Sequence, residues 1–147
     1  MKKFELTSEF ITNIFGTKLF RIKALIEFGN VKAGELGGFV EKEENLNHEG
    51  NAWVYGNARV CGDARVCGDA RVYGNADYAT VHGFGSEYRT TTFFKTKAGE
   101  IGVRCGCFYG NLSEFRKKVV ETHGETKKAK EYLMLADLME FRFSDNS

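Results

Sequence analysis

A tandem repeat of six residues in the middle of the chain constrains its fold more than any other feature. Residues 50–76 read GNAWVY, GNARVC, GDARVC, GDARVY and GNA, so a Gly-Asn or Gly-Asp step recurs every six positions. A large and a small apolar residue also return at fixed positions of each unit: Val54, Val60, Val66, Val72 and Ala58, Ala64, Ala70, Ala76. Such periodicity indicates a stack of equivalent units that share one core.

The unit V-x-G-N/D-A-x resembles the hexapeptide repeat of left-handed parallel β-helices. The resemblance implies that each hexad forms one flat side of a triangular coil, with the valine and the alanine pointing inward. Glycine and Asn or Asp suit the corners, because they tolerate the left-handed backbone region. Extending the frame gives eight hexads between residues 36 and 83. We therefore expect a short left-handed parallel β-helix of about three coils over residues 36–85.

Both flanks of the repeat carry patterns of capping structure, which a short stack with exposed strand edges needs. Residues 18–28 alternate as a strand does, and residues 88–108 alternate around a Lys97–Glu100 turn as a β-hairpin does. Asn111 to Glu114 is a capping-box sequence that predicts a helix ending near Gly124, with a second helix over about 126–141.

These patterns together predict a mostly β fold with an α+β cap, arranged as one compact domain in three segments. Residues 1–35 form a strand-containing N-terminal cap, residues 36–85 the β-helix, and residues 86–147 a C-terminal β-hairpin followed by two helices.

Charge and composition narrow the possible partners. The chain has 147 residues, with 21 Lys and Arg against 20 Asp and Glu, and a net charge of +1. Such a balance gives no overall field that would favour nucleic acid or an anionic membrane. The start of the chain lacks the apolar core of a signal peptide, and the four cysteines show no secreted disulfide pattern. We expect a cytoplasmic protein that does not bind a membrane.

One side of the predicted coil gathers aromatic and basic residues. With 18 residues per coil, Trp53 stacks above Arg71 and Arg89, and Tyr55 stacks above Tyr73. Aromatic rings and guanidinium groups can stack a base and hold a phosphate, or anchor a protein partner. We predict that these five residues form a ligand or partner face. The alternative is a subunit interface, since left-handed β-helices commonly form trimers, and we expect a homo-oligomer that is a trimer or its multiple.

The repeat also resembles that of hexapeptide acyltransferases, which use a histidine as general base, so the resemblance makes the three histidines candidate catalytic groups. His48 falls at an inward position and His123 at a helix end, which leaves His82 as the best candidate. The repeat also resembles the carbonic-anhydrase branch of the family, which needs three imidazoles to hold zinc, but only His48 and His82 lie in the repeat. A zinc site with ligands shared across a trimer stays geometrically possible. We therefore predict no catalytic residue, no metal and no cofactor. A trimeric acyltransferase-like enzyme with His82 at a subunit boundary stays open as an alternative.

Residues 19–25, 32–46 and 105–110 resemble small phage and prophage proteins of unassigned role that carry hexapeptide repeats and are often labelled polymer-forming or hypothetical. The resemblance implies a non-catalytic accessory protein in the cytoplasm of an infected bacterial host. Such a protein would antagonise host defence by binding a defence protein or by sequestering a small anionic nucleotide signal. A structural, self-assembling protein is the third possibility.

Overall fold

The computed structural model describes residues 2–74, 77–84, 89–106 and 108–144, and of Arg89 it describes the backbone alone. Within these ranges the chain forms ten strands, a 3-10 turn at Glu43–Asn45 and two α-helices. In chain order the strands and helices are β1 (Phe4–Thr12), β2 (Lys18–Ala24), β3 (Leu36–Val40), β4 (Trp53–Val54), β5 (Arg59–Val60), β6 (Arg71–Val72), β7 (Tyr78–Phe84), β8 (Arg89–Lys95), β9 (Ile101–Cys105), β10 (Phe108–Asn111), α1 (Leu112–His123) and α2 (Lys127–Arg142).

The prediction of a left-handed parallel β-helix is wrong, because the protein is a mixed α+β fold built on antiparallel and mixed sheets. One sheet has the order β1-β2-β3-β5, a second has the order β10-β9-β8-β7, and β4 pairs with β6. Within the described ranges, parallel pairing is confined to β3 with β5, β4 with β6, and an isolated bridge between Leu46 and Val66. Antiparallel strands from both flanks form the rest of the sheet structure.

The hexads do not keep one register, which is part of the reason why a regular coil does not form. Trp53 pairs with Arg71, 18 positions later, as the repeat predicts, whereas Phe39 pairs with Arg59, 20 positions later. Leu46 and Val66 are also 20 positions apart. Two extra residues therefore lie between Leu46 and Trp53, and they move Leu46 into the inward position that the frame assigned to His48.

The apolar positions of the hexads nevertheless form a core, as predicted. The described valines and alanines of the repeat are buried, together with Leu46 and Trp53 from the repeat region and Phe4 and Ile22 from β1 and β2. Ala76 lies outside the described residues. Alternation explains the pattern, because in an extended chain every second side chain points to the same face.

The chain leaves the repeat at Asp77 and enters the C-terminal sheet. The Asp77 carboxylate accepts hydrogen bonds from the backbone N–H groups of Tyr73 and Gly74, and Tyr78 begins β7 opposite Phe94. The predicted hairpin is confirmed by the antiparallel pairing of β8 with β9. Tyr88 and Cys107, which the prediction included, lie outside the described residues.

Both predicted helices are confirmed. Asn111 caps α1 by accepting from the Glu114 N–H at 2.8 Å, and the Glu114 carboxylate accepts from the Asn111 N–H, so the capping box is complete. The backbone turns at Gly124, and Thr126 then caps α2. Both helices pack on the C-terminal sheet through a second core that contains Phe93, Phe115, Tyr132 and Met139.

Candidate functional site

Trp53 does not belong to an exposed face, which corrects the predicted ligand face. Its side chain is 0% exposed and lies in the repeat core, edge-on to Phe4 and Phe28 at ring-centre distances of 6.3 and 5.3 Å. The backbones of Trp53 and Arg71 do pair in parallel at the predicted spacing of 18 residues. Burial of the indole follows because Trp53 precedes Val54 in a strand that is buried on both faces.

Tyr55, Tyr73 and Arg71 do come together. The two tyrosine rings stack with centres 4.4 Å apart, and the Arg71 guanidinium carbon lies 6.0 Å from the Tyr55 ring centre. Tyr73 is 59% exposed, whereas burial raises the pKa of Tyr55. The backbone of Arg89 lies at the start of β8, opposite Phe84. The Arg89 side chain is not among the parts of the chain that the structure describes. Three of the five predicted residues therefore form a small surface cluster.

A larger concave site lies between the repeat and the C-terminal sheet. Two cavities of about 360 and 500 Å³ share three lining residues, Glu44, Arg65 and Arg104, and we call them together the cleft. The first is also lined by Glu43, Leu46, Asn47, His48, Val66 and Cys67. The second is also lined by Lys42, Asp63, Ala64, Thr90 and Gly106.

Local structure explains why two arginines line the cleft. Arg65 stands between the buried Ala64 and Val66, so alternation turns its side chain outward, and its backbone N–H donates to Thr92 Oγ1 at 3.0 Å. On the opposite wall Arg104 alternates with the buried Val103 in β9. The Arg104 side chain is half-buried, and its Nε donates to the Gly106 carbonyl oxygen at 2.8 Å.

Two of the three carboxylates that line the cleft are already bound to nearby cations. Asp63 lies 3.0 Å from Lys42, and that hydrogen bond lowers the pKa of the Asp63 carboxyl. Glu43 Oε1 lies 3.3 Å from Lys2 and 2.8 Å from His48. Partial burial acts to raise the pKa of Glu43, but the hydrogen bonds from His48 and Lys2 outweigh it and lower that pKa.

In the described part of the chain, the two arginines lack such partners. Among the residues that the structure describes, no carboxylate forms an ion pair with Arg65 or Arg104. Glu44, which is exposed, is the one described lining carboxylate without an ion pair of its own. Two guanidinium groups therefore face the cleft against a single unbound carboxylate.

His48 has both ring nitrogens occupied. Nδ1 accepts from the Lys3 backbone N–H at 3.0 Å, so the ring proton lies on Nε2, which donates to Glu43 Oε1 at 2.8 Å. The ring also stacks on Phe4 with centres 4.4 Å apart. No lone pair is left to act as a base, so His48 holds the N-terminal strand in place rather than performing chemistry.

The other two histidines lie outside the described lining of the cleft. His82 is exposed on β7, and its Nδ1 lies 2.8 Å from Thr90 Oγ1. Thr90 itself does line the cleft. His123 stacks on Tyr132 at the end of α1, with ring centres 6.0 Å apart. In the described part of the chain no three His, Cys, Asp or Glu side chains are grouped so that they could hold a metal ion.

The sequence offered little signal for the cleft. Arg65 and Arg104 are 39 positions apart, and the side of the repeat that carries Arg65 reads as an ordinary polar surface. Cys67, which the repeat places outward, is buried behind Arg104, and this burial raises the pKa of the thiol. Only the packing of β9 against the repeat brings these groups together.

Comparisons with known proteins give no family for this chain. No protein-family model matches it, and no significant match is found among curated proteins. Over the residues with described structure, neither helix has the length and apolar character needed to cross a membrane.

Proposed function

We propose that this protein is a non-catalytic binding protein that holds a small phosphate-bearing anion in the cleft. The observation that carries the proposal is the pair of guanidinium groups, Arg65 and Arg104, which line shared cavities and have no carboxylate partner among the described residues. An unpaired arginine at a concave surface presents several N–H donors in a planar fork that matches the oxygens of a phosphate.

The size and polarity of the cleft fit a small molecule. Its two cavities, about 360 and 500 Å³, fall in the range of small-molecule sites. Lys42, which is paired with Asp63, lies at one end, and the Thr90 hydroxyl supplies a neutral donor and acceptor. Glu44 is positioned to accept from a hydroxyl or amino group of the same ligand, which would favour a phosphorylated metabolite or nucleotide over inorganic phosphate.

Anion binding in the cleft would explain how the chain could act as the accessory phage protein that the sequence resemblance implies. A protein that binds a nucleotide signal without turning it over would lower the free concentration of that signal in the infected host. No Phe, Tyr or Trp is among the described lining residues, and the ring of His48 already stacks on Phe4, so recognition in the cleft would rest on phosphate contacts and polar edges rather than base stacking. Direct binding of a host defence protein is the alternative, and it predicts that none of the small-molecule probes below binds.

Isothermal titration calorimetry with mono-, di- and cyclic nucleotides and inorganic pyrophosphate tests the proposal. We expect at least one nucleotide to bind, and Arg65→Gln or Arg104→Gln to weaken its affinity by about tenfold or more. Lys128→Gln is the matched control, because it removes one exposed positive charge on α2, away from the cleft. Equal affinity of both arginine variants and the wild-type protein would overturn the proposal, as would the absence of binding by every probe.

A further inference from the structure

Helix α2 is apolar on two opposite sides. One side packs into the second core through Ala129, Tyr132, Ala136, Met139 and Phe143. The other side carries Met134, Leu138 and Phe141, which are 70%, 54% and 79% exposed. At 100° per residue the spacing of four and then three places these three side chains in one line, directly opposite the buried face.

We propose that a second copy of this chain covers this line of side chains, with its own α2 running antiparallel. A two-fold axis between Met134 and Leu138 makes the surface complementary to itself, because Met134 of each copy then contacts Leu138 of the other. Phe141 of each copy lies against the aliphatic part of Glu131 in the other. Each copy thus uses the same residues, as a closed dimer requires.

Charge along α2 favours the antiparallel direction. Its N-terminal half carries Lys127, Lys128, Lys130 and Glu131, and its C-terminal half carries Asp137, Glu140 and Arg142. Lysines in the first turn of a helix are disfavoured by the positive end of the helix dipole, and an antiparallel partner brings its negative C-terminal end to that place. A parallel partner would instead put three lysines beside three lysines.

Two further features set the strength and kind of the contact. Arg116 of α1 already binds Asp137 and Glu140 at 2.9 and 2.8 Å, so the apolar contact contributes more to dimer stability than the charges do. Three large side chains with their polar neighbours bury less than the roughly 800 Å² per partner of a standard interface. We therefore expect a dimer with a dissociation constant in the micromolar range.

The mixed charges beside the line of exposed side chains also disfavour an anionic membrane as its occupant.

Sedimentation equilibrium over a range of concentrations tests the pairing. The wild-type protein is expected to approach twice its chain mass of 16.5 kDa as its concentration rises. Leu138→Glu is expected to stay monomeric, with unchanged circular dichroism and thermal midpoint, because this side chain lies opposite the core face of α2. A wild-type protein that stays monomeric up to about 0.2 mM would overturn the proposal.

The tip of the β1–β2 hairpin supplies a matched control for the loss of exposed apolar area. Ile14 and Phe15 are 92% and 86% exposed there, so Ile14→Ser with Phe15→Ser removes a comparable amount of apolar surface elsewhere. We expect this variant to dimerise as the wild-type protein does. If it becomes monomeric while Leu138→Glu still dimerises, the interface lies at the hairpin and the proposal is wrong.

A charge reversal tests the direction of pairing. Glutamate at the start of a helix is favourable for the helix itself, so Lys127→Glu with Lys130→Glu keeps α2 folded. In an antiparallel pair this change sets acidic groups beside the negative end of the other helix and weakens association by several-fold. Unchanged or stronger association would exclude the antiparallel arrangement. Neither test involves the cleft, so each outcome is independent of nucleotide binding.

Discussion

Phe93 and Phe94 are neighbours in β8, yet their side chains enter two different cores. Phe94 lies in the repeat core with Trp53 and the hexad valines, whereas Phe93 lies in the second core and contacts Phe115 edge-on at 5.9 Å. Successive residues of a strand point to opposite faces, so a single strand joins both cores. The C-terminal sheet is thus the middle layer of the protein, and it also supplies Arg104 to the cleft.

This arrangement predicts that the two cores unfold together. Phe93→Ala and Phe94→Ala should each reduce the free energy of unfolding by about 3–5 kcal/mol, since both rings are fully buried. Trp53, the single tryptophan, reports the repeat core by fluorescence, and circular dichroism near 222 nm reports the helices. Urea titrations should give coincident midpoints for the two probes in each variant. Separate transitions would show that β8 does not couple the cores.

A second prediction concerns the corner glycines Gly62 and Gly68. Both have positive φ, 66° and 65°, so alanine costs about 1–2 kcal/mol at either position through backbone strain. A Cβ at Gly62 meets nothing within 4 Å, whereas a Cβ at Gly68 would clash with the hydroxyl end of the Tyr109 side chain. Gly68→Ala should therefore destabilise the protein clearly more than Gly62→Ala in urea unfolding.

The double variant Gly68→Ala with Tyr109→Ala identifies the cause of the difference. If Gly68→Ala acts by pushing Tyr109 away, the change should cost less in a protein that already carries Tyr109→Ala. In that background, Gly68→Ala should lower the free energy of unfolding only as much as Gly62→Ala does. A cost of Gly68→Ala that stays the same without the ring would contradict the packing of β10 on the repeat corner.

A third prediction concerns the buried side chain of Lys3. Its Nζ donates to the carbonyl oxygens of Ala52 and Gly50 at 2.7 and 3.3 Å and lies 4.6 Å from the Phe28 ring centre. Burial lowers the pKa of Lys3 from 10.5 to about 8. Between these two values the unfolded chain binds more protons than the folded one, so this group makes stability rise with pH across the window from about 8 to 10.5.

Lys3→Met isolates this effect, because it keeps the length of the side chain and removes the ammonium. The free energy of unfolding of the wild-type protein, minus that of Lys3→Met, should increase by roughly 2–3 kcal/mol as the pH rises through the window. The subtraction is needed because burial raises the pKa of Tyr78 to about 12 and raises that of Cys67, and both shifts act in the opposite direction. A difference that does not change with pH would show that burial does not lower the pKa of Lys3.

A fourth prediction separates binding from catalysis at the edge of the cleft. His82 contacts Thr90, which lines the cleft, but His82 is not itself among the described lining residues. His82→Ala should therefore leave nucleotide affinity within about twofold of the wild-type value. An acyl-CoA assay with the wild-type protein should show no turnover. Turnover that is lost in His82→Ala would instead support the acyltransferase alternative.

The parts of the fold that could be predicted depend on local sequence patterns. The capping box at Asn111 and Glu114, the alternation of β8 and β9, and the inward valines and alanines each depend on neighbours within a few residues. The failures came from long-range packing. The frame could not reveal the two extra residues between Leu46 and Trp53, because His48 and Leu46 both fit the inward position in the sequence alone.

The candidate site shows the same limit. The position of Trp53 in the hexad predicts an outward side chain, but β1 and the segment around Phe28 cover that side. The antiparallel flanks thus place Trp53 in the core, while Tyr55, Arg71 and Tyr73 stay together at the surface. The cleft forms where a repeat corner meets β9, a contact between segments about 40 positions apart that no period in the sequence encodes.

The most direct test of the central claim is a nuclear magnetic resonance titration that follows the arginine Nε–H signals with the nucleotide that binds best. Binding in the cleft predicts that the signals of Arg65 and Arg104 shift, while that of Arg116, held by Asp137 and Glu140, stays in place. A shift at Arg71 alone would place the ligand on the Tyr55 and Tyr73 cluster and would contradict the proposed site.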